Sequence, residues 1–282
     1  MKQRTPSRRR LLLAAFAGLT LLLAALIWQG VRRGDPVRVG IPKSAEAYGA
    51  AMLLQTPSAQ YRCTLGSTPE ALATALREGQ LDAALLPLTI ARTLDGCDIR
   101  AVVGFVPLAV LTREEEITGW NALDGRTLTL PEALRGTRAE AMLRQTLRES
   151  KLRCEIAFGD SGDPRACGPD AAAPLLVGDT GWRVLGVVSD QWRKALPSTP
   201  PAGLCLVVRR DYLARAGSDF AAFERALESS LRFSGEKRKK TAAMAAAAGL
   251  AESEEMADAL YPLNEYVWLA GDDMRQSLYA LP

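Results

Sequence analysis

Histidine is absent from all 282 residues of the chain. That removes the side chain most often used to move protons near neutral pH and the commonest transition-metal ligand, so serine or cysteine triads of the usual kind cannot be assembled. Carboxylate, lysine or tyrosine chemistry stays open, but the balance shifts from catalysis toward binding, and no cofactor or metal is implied. A basic excess is missing as well. Lys and Arg number 35 against 32 Asp and Glu, and five of those bases, Lys2, Arg4, Arg8, Arg9 and Arg10, stand in the first ten residues, where there is no acid. The rest of the chain is near neutral, which argues against nucleic acid as a partner, because neutralising phosphates takes a basic stripe. The later cluster Lys237, Arg238, Lys239, Lys240 reads as a solvated helix start.

What is present begins with an apolar run from Leu11 to Trp28, in which Thr20 is the only side chain carrying a hydroxyl or charge. A membrane-crossing helix needs roughly 17 to 25 such residues, more than the apolar core of a cleaved signal. Beyond the run, Gln29, Gly30, Val31 and Arg32 offer no small-residue cleavage site, and no cysteine stands nearby to accept a lipid. The larger basic cluster lies before the run, so the positive-inside rule leaves the N-terminus in the cytoplasm. The expectation is a single-pass anchor in the cell membrane through residues 11–28, with the remaining domain on the extracytoplasmic side. Ser7 to Leu12 also resembles a twin-arginine export signal, with leucine where that signal carries phenylalanine.

Cysteine usage leaves two alternatives. Cys63, Cys97, Cys154, Cys167 and Cys205 are odd in number, so a monomer keeps at least one free thiol. Cys154 and Cys167, flanking a short loop, form the best-placed pair; alternatively all five serve as small core hydrophobes.

From residue 36 onward, strand and helix patterns alternate. Val37 to Ile41 reads as a buried strand and Ala45 to Gln55 as a helix; Tyr61 to Leu65 is a second strand. Ser67, Thr68, Pro69 and Glu70 open the next helix with a cap, a first-turn proline and a capping-box glutamate. Leu81 to Leu86 and Ile99 to Val106 are continuous apolar runs of strand length, with a helical stretch from Leu88 to Leu94 between them. Such alternation implies a mostly parallel sheet covered on both faces. Leu108 to Thr112 reads as an extended connector, after which the alternation restarts: a short helix at Trp120 to Leu123, strand Thr127 to Leu130, helix Thr137 to Ser150, strand Cys154 to Phe158 and strand Arg183 to Val188. Leu204 to Arg209 reads as a strand returning to the first half, and Phe220, Phe223, Leu227 and Leu231 mark one helix face. Further helices follow around Met244 and over Met256 to Tyr261. The segment Gly79 to Pro87 is echoed loosely by Gly168 to Pro174.

Four landmarks in order, Val37 to Pro42 before a helix, TPEALATALREGQLDAALLP at 68–87, LDGRTLTLP at 123–131 and LVVRRDYL at 206–213, make the chain resemble the solute-binding proteins of nitrate, taurine, alkanesulfonate and thiamine-precursor ABC importers. The resemblance implies an α/β, two-lobed, periplasmic-binding-protein-like type II fold. It divides the chain into residues 1–35 as basic segment and anchor, 36–108 with 210–282 as the first lobe, and 109–209 as the second, with hinge strands near 108–112 and 204–209. It further implies an extracytoplasmic protein, not an enzyme, that captures a small polar or anionic molecule and docks on an ABC permease and its ATPase.

In such proteins the ligand lies between the lobes at helix starts. Carried onto this sequence, that points to Lys43, Ser44 and Tyr48 after the first strand, Pro87 and Thr89 after the third, Phe105 after the fourth, and Gly136, Thr137 and Arg138 in the second lobe. Unpaired N–H groups at a helix start suit an anionic or strongly polar group. Each residue also has a plainer role: Ser44 and Thr137 as caps, Lys43 and Arg138 as solvated charges, Tyr48 and Phe105 as packing, Pro87 as a strand end. One departure stands out. Between Phe158 and Trp182, where those proteins carry a full helix, a strand and a proline-aromatic segment, this chain has GDSGDPRACGPDAAAPLLVGDTG. The second lobe is expected to be compressed, which leaves a tethered sensor or interaction module of the same fold as the alternative and a type II fold enzyme as a third reading.

Overall fold

The computed structural model describes residues 35–56 and 58–281. The expected anchor at 11–28 lies outside them, and among the described residues no helix is long and apolar enough to cross a membrane. Residues 37–282 form one compact unit.

Two five-stranded sheets organise this unit. The first contains β1 (Val37–Pro42), β2 (Tyr61–Gly66), β3 (Ala83–Pro87), β4 (Cys97–Phe105) and β10 (Ala202–Arg209), in the order β2-β1-β3-β10-β4. The second contains β5 (Ala109–Thr112), β6 (Thr127–Leu130), β7 (Glu155–Phe158), β8 (Arg165–Cys167) and β9 (Arg183–Val187), in the order β7-β6-β8-β5-β9. Each sheet has three parallel strands followed by one antiparallel strand, β10 in the first and β5 in the second. Those antiparallel strands are the ones that follow the two crossings between sheets, so each lobe is completed by chain arriving from the other.

Strand patterning explains why the apolar runs are continuous. In the first sheet Val37, Val39, Ile41, Ala83, Leu85, Leu204 and Leu206 face one cluster, while Ala84, Leu86, Val102, Cys205 and Val207 face another. Successive side chains point to opposite faces, so a sheet covered on both sides needs apolar residues at every position. One face is covered by the 3-10 turn Ala45–Ala50, α1 (Ala51–Gln55), α7 (Arg210–Glu236), α8 (Arg238–Ala247) and α9 (Glu254–Leu260); the other by α2 (Pro69–Arg77), α3 (Leu88–Ala91) and α10 (Gly271–Tyr279). α2 starts at Thr68, whose hydroxyl accepts from Ala71 N–H at 3.2 Å, with Pro69 in its first turn. Glu70 therefore falls one position early for the anticipated capping box, which needs the acid at the third helical residue.

The second sheet is covered asymmetrically. α4 (Arg138–Glu149) and α6 (Val188–Ala195) pack together over one face, enclosing Leu128, Leu130, Met142, Leu147, Val188 and Trp192. On the other face, Ala109, Leu111, Cys167 and Ala172 of α5 (Pro169–Leu176) join the large cluster of the first lobe, and α5 packs on α9.

Several expectations change here. Leu108–Thr112 is not merely a connector, because Ala109–Thr112 is a fully buried strand in the second sheet. Residues 204–209 do return to the first half as a strand, and they lie at the centre of the first sheet, between β3 and β4. The stretch after Phe158 holds β8 and α5, with no helix between β7 and β8. Register makes so short a link sufficient. β7 ends with Phe158 level with Leu130, and β8 begins with Arg165 level with Thr129. The loop 159–164 thus has only to step sideways past β6, not return the length of the sheet.

The pairing of Cys154 with Cys167 does not occur; both are free thiols, as are Cys63, Cys97 and Cys205. Cys154 precedes β7, whereas Cys167 ends β8 on the far side of β6. Two strand spacings, about 9 to 10 Å, exceed the Cα separation of about 7 Å that a disulfide can bridge.

Candidate functional site

The carboxyl ends of the parallel strands in both sheets open onto a cleft between the lobes, the position at which sheets of this kind take ligands. From the first lobe it is walled by Glu46 of the 3-10 turn after β1 and by Pro87, Leu88 and Thr89 where β3 becomes α3. From the second come Leu134 and the start of α4, Thr137 to Ala139. The floor is the pair of crossings, Val106–Pro107 and Ala202–Gly203. Its volume is about 190 Å³. Two larger hollows, of about 440 Å³ beside Arg62 and Leu65 and about 520 Å³ beside Trp120 and Gln191, each belong to a single lobe and lie away from the strand ends that face each other.

The crossings touch closely. Val106 N–H donates to Pro201 O at 3.0 Å, and a Cβ on Gly203 would come within 2.2 Å of Phe105 O. Glycine is required at 203 by that approach of backbone to backbone.

Of the residues anticipated from sequence, Pro87, Thr89, Thr137 and Arg138 line this cleft. Thr137 is the N-cap of α4: its hydroxyl accepts from Glu140 N–H at 3.4 Å and donates to Leu134 O at 2.7 Å. Arg138 extends along the cleft wall, its Nη1 donating to Leu281 O at 2.7 Å; burial and the neighbouring Arg92 lower its pKa. Gly136 sits at the mouth of the same turn with φ of 72°, its N–H donating to Glu140 Oε2 at 2.6 Å.

The others are placed elsewhere. Lys43 is exposed, its N–H donating to Gly66 O at the β2 side. Ser44 precedes the 3-10 turn, with its C=O accepting from Ala47 N–H. Tyr48 is 1% exposed within the core of the first lobe. Phe105 is buried with the Arg193 guanidinium 5.8 Å from its ring centre.

Sequence reasoning missed Glu46, although it stands two residues after Ser44 in the turn that was singled out. Its carboxyl pKa is pushed up to about 7, first by burial and then by Asp170, which comes from the first turn of α5 in the opposite lobe. Tyr48 is pushed up to about 12 by burial and by the same Asp170. Sequence reasoning also missed a contact between lobes at the start of α6: Ser189 Oγ donates to Glu265 Oε1, and Arg193 Nη1 pairs with Glu265 Oε2 at 2.5 Å. Neither residue could be paired from sequence, since 76 positions separate Ser189 from Glu265. Among the described residues no group of three or more acids and cysteines is placed to hold a metal ion.

No known family model matches the chain, and no curated protein does. Solved structures do. An ABC transporter from Parabacteroides distasonis superposes with a TM-score of 0.67 at 13% identity, covering 88% of this chain and 90% of that one. The periplasmic aliphatic sulphonate binding protein SsuA from Escherichia coli gives 0.55 at 17% identity over 81% of this chain and 82% of that one. The alkanesulfonate-binding protein SsuA from Xanthomonas axonopodis pv. citri, bound to MOPS, gives 0.52 at 17% identity over 88% and 91%. By their own descriptions these are transport and binding proteins. The chain has their fold, the two-lobed α/β architecture of type II periplasmic binding proteins.

Proposed function

We propose that this chain is a solute-binding protein, held to the outer side of the cell membrane by residues 11–28, which captures a small polar molecule between its lobes and presents it to an ABC importer. The observation that carries the reading is the cleft itself. It lies where strand ends of both sheets converge, its floor is the pair of crossings about which the lobes can turn, and its wall includes a capped helix start. Backbone N–H groups at such a start carry partial positive charge and hold polar ligand atoms. Hinge closure around a ligand is the motion this architecture permits.

The reading is tested by thermal-shift screening of the full-length protein in detergent against small anions, sulfonates, pyrimidines and amino acids. A ligand at ten times its Kd stabilises by about 1.4 kcal/mol, through RT ln(1 + [L]/Kd). A stabilising hit that is lost in Thr137→Pro, which removes the α4 cap hydroxyl, supports the reading; silence across the whole library sinks it. The tether is tested separately by a carbonate wash, after which the protein is expected in the membrane fraction.

A second reading, a tethered sensor or interaction module without transport, is favoured by one observation: α5 of the second lobe packs on α9 and shares the core of the first lobe. Lobes fused there would form a rigid body for a partner to dock on, and would not open.

A further inference from the structure

We infer that the cleft takes a small ligand bearing a positively charged nitrogen, an ammonium or amidinium group, and that Glu46 selects it. The inference rests on the solute-binding reading and narrows it.

The polar groups in the cleft wall are unequally committed. The Thr137 hydroxyl both donates and accepts within its cap, and Arg138 gives Nη1 to the Leu281 carbonyl. The Glu46 carboxyl lines the same cleft, and among the described residues it has no hydrogen bond or ion pair; burial and Asp170 are what act on it. Half-buried in the cleft wall, this carboxyl is shielded enough to pair strongly with a cation that enters and open enough to be reached by one.

Asp170 sharpens the point because it belongs to the other lobe. Asp170 is exposed, yet its charge acts on Glu46, so the two carboxylates repel and an anion at this end would add a third negative charge. A cation there reverses the sign, attracting a carboxylate from each lobe and so coupling capture to closure. Oxygen atoms at the other end of the same ligand would meet the start of α4. The rest of the wall, Leu88, Val106 and Leu134 among it, is apolar, and about 190 Å³ limits the ligand to a compact molecule. This volume is below the roughly 300 to 1,000 Å³ of drug-sized pockets.

Protonation gives an independent readout. The groups facing Glu46 are Asp170 on α5, Tyr48 on its own turn and Tyr266 on the segment before α10, with Arg138 of α4 across the cleft. Glu46 is half protonated near pH 7 without ligand. A cation binds the ionised form, so its affinity falls as pH drops through that value.

The test is calorimetric titration of the full-length protein at pH 8 with three isosteric pairs: ethanolamine and ethylene glycol, β-alanine and butyrate, acetamidine and acetamide. A nitrogen cation is expected to bind about tenfold or more tightly than its uncharged or anionic isostere, the scale of a charge-assisted hydrogen bond. That preference should weaken at pH 6 and vanish in Glu46→Gln, with Glu46→Asp retaining part of it; the melting curve of each variant reports folding. Equal binding within every pair, or a preference unchanged in Glu46→Gln, overturns the role of Glu46 while leaving solute binding intact. If no member of the panel binds and other solutes do, the inference falls; if nothing binds at all, the solute-binding reading falls with it.

Discussion

At Glu46 the folded chain holds a proton more tightly than the unfolded chain does, since burial and Asp170 move the carboxyl from 4.5 to about 7. Between those values the native state binds more protons, so stability falls as pH rises from about 4.5 through about 7. The full loss above pH 7 is about 3 kcal/mol, from 1.36 kcal/mol per pKa unit. Glu46→Gln removes the ionisation and keeps the shape. The variant is therefore expected to exceed the parent by a few kcal/mol in urea unfolding near pH 8 and to match it near pH 4.5; equal curves at both values would show that the carboxyl is solvated. The cysteines illustrate burial acting on another acid. Cys63 and Cys205 are pushed up to about 12 and Cys167 to about 11, each chiefly by burial. Because the thiolate is the reactive form, these three are expected to resist alkylation in the native state. In denaturant without reductant all five should react, as a mass spectrum would show; a recovered Cys154–Cys167 bridge would contradict the structure.

At the scale of elements, legibility in the sequence followed pattern length. Strand Thr127–Leu130 and the turn Trp120–Leu123 were read to the residue, and α4 within one residue at each end, because alternation, caps and helical spacing are local signals. β8 was invisible: three residues, Arg165 to Cys167, cannot display a period. α5 was hidden by Pro174 within it and by small residues that resemble a loop. The echo of Gly79–Pro87 in Gly168–Pro174 was coincidence, since the first ends in a strand and the second is a helix start; the counterpart of β3 is β8. In the site, the helix start at Thr137 was legible because capping is written in adjacent residues, whereas Tyr48 and Phe105 were misplaced because an aromatic near a cleft and an aromatic beneath it look alike in sequence. One glycine governs the element the sequence concealed. Gly162 has φ of 150°, and a Cβ there would stand 2.1 Å from Thr129 Oγ1. Gly162→Ala is expected to cost roughly 2 kcal/mol or more, from overlap and a backbone region closed to other residues. The damage should be local, with faster hydrogen exchange at β8 and β6 and little change in the first sheet; uniform acceleration would mean that the loop is coupled to the whole fold.

Across the whole molecule, the lobes are joined on three sides of the cleft. α5 packs on α9, Glu265 takes Ser189 and Arg193 of α6, and the segment after α10 carries Leu281 from the first sheet into the core of the second lobe, where it is 4% exposed. A clamp that admits ligand has to release these contacts, and they differ in kind. The Glu265 contact is polar and partly open to water, so its loss costs about 1 to 2 kcal/mol; Leu281→Ala removes a buried side chain and costs about 2 to 4 kcal/mol. Both act on the lobe interface, so removing them together should shift the population toward an open state without unfolding either sheet. Spin labels at Glu149 and Lys239, exposed on opposite lobes, would report that shift once the half-buried Cys63, Cys97 and Cys154 are replaced by alanine. The Glu265→Ala/Leu281→Ala variant is expected to show a longer and broader distance distribution than the parent, narrowing when ligand is added. If the distribution does not move, the α5 to α9 contact holds the lobes as one body, the cleft is a fixed cavity, and the same fold is serving as a docking platform in place of a trap.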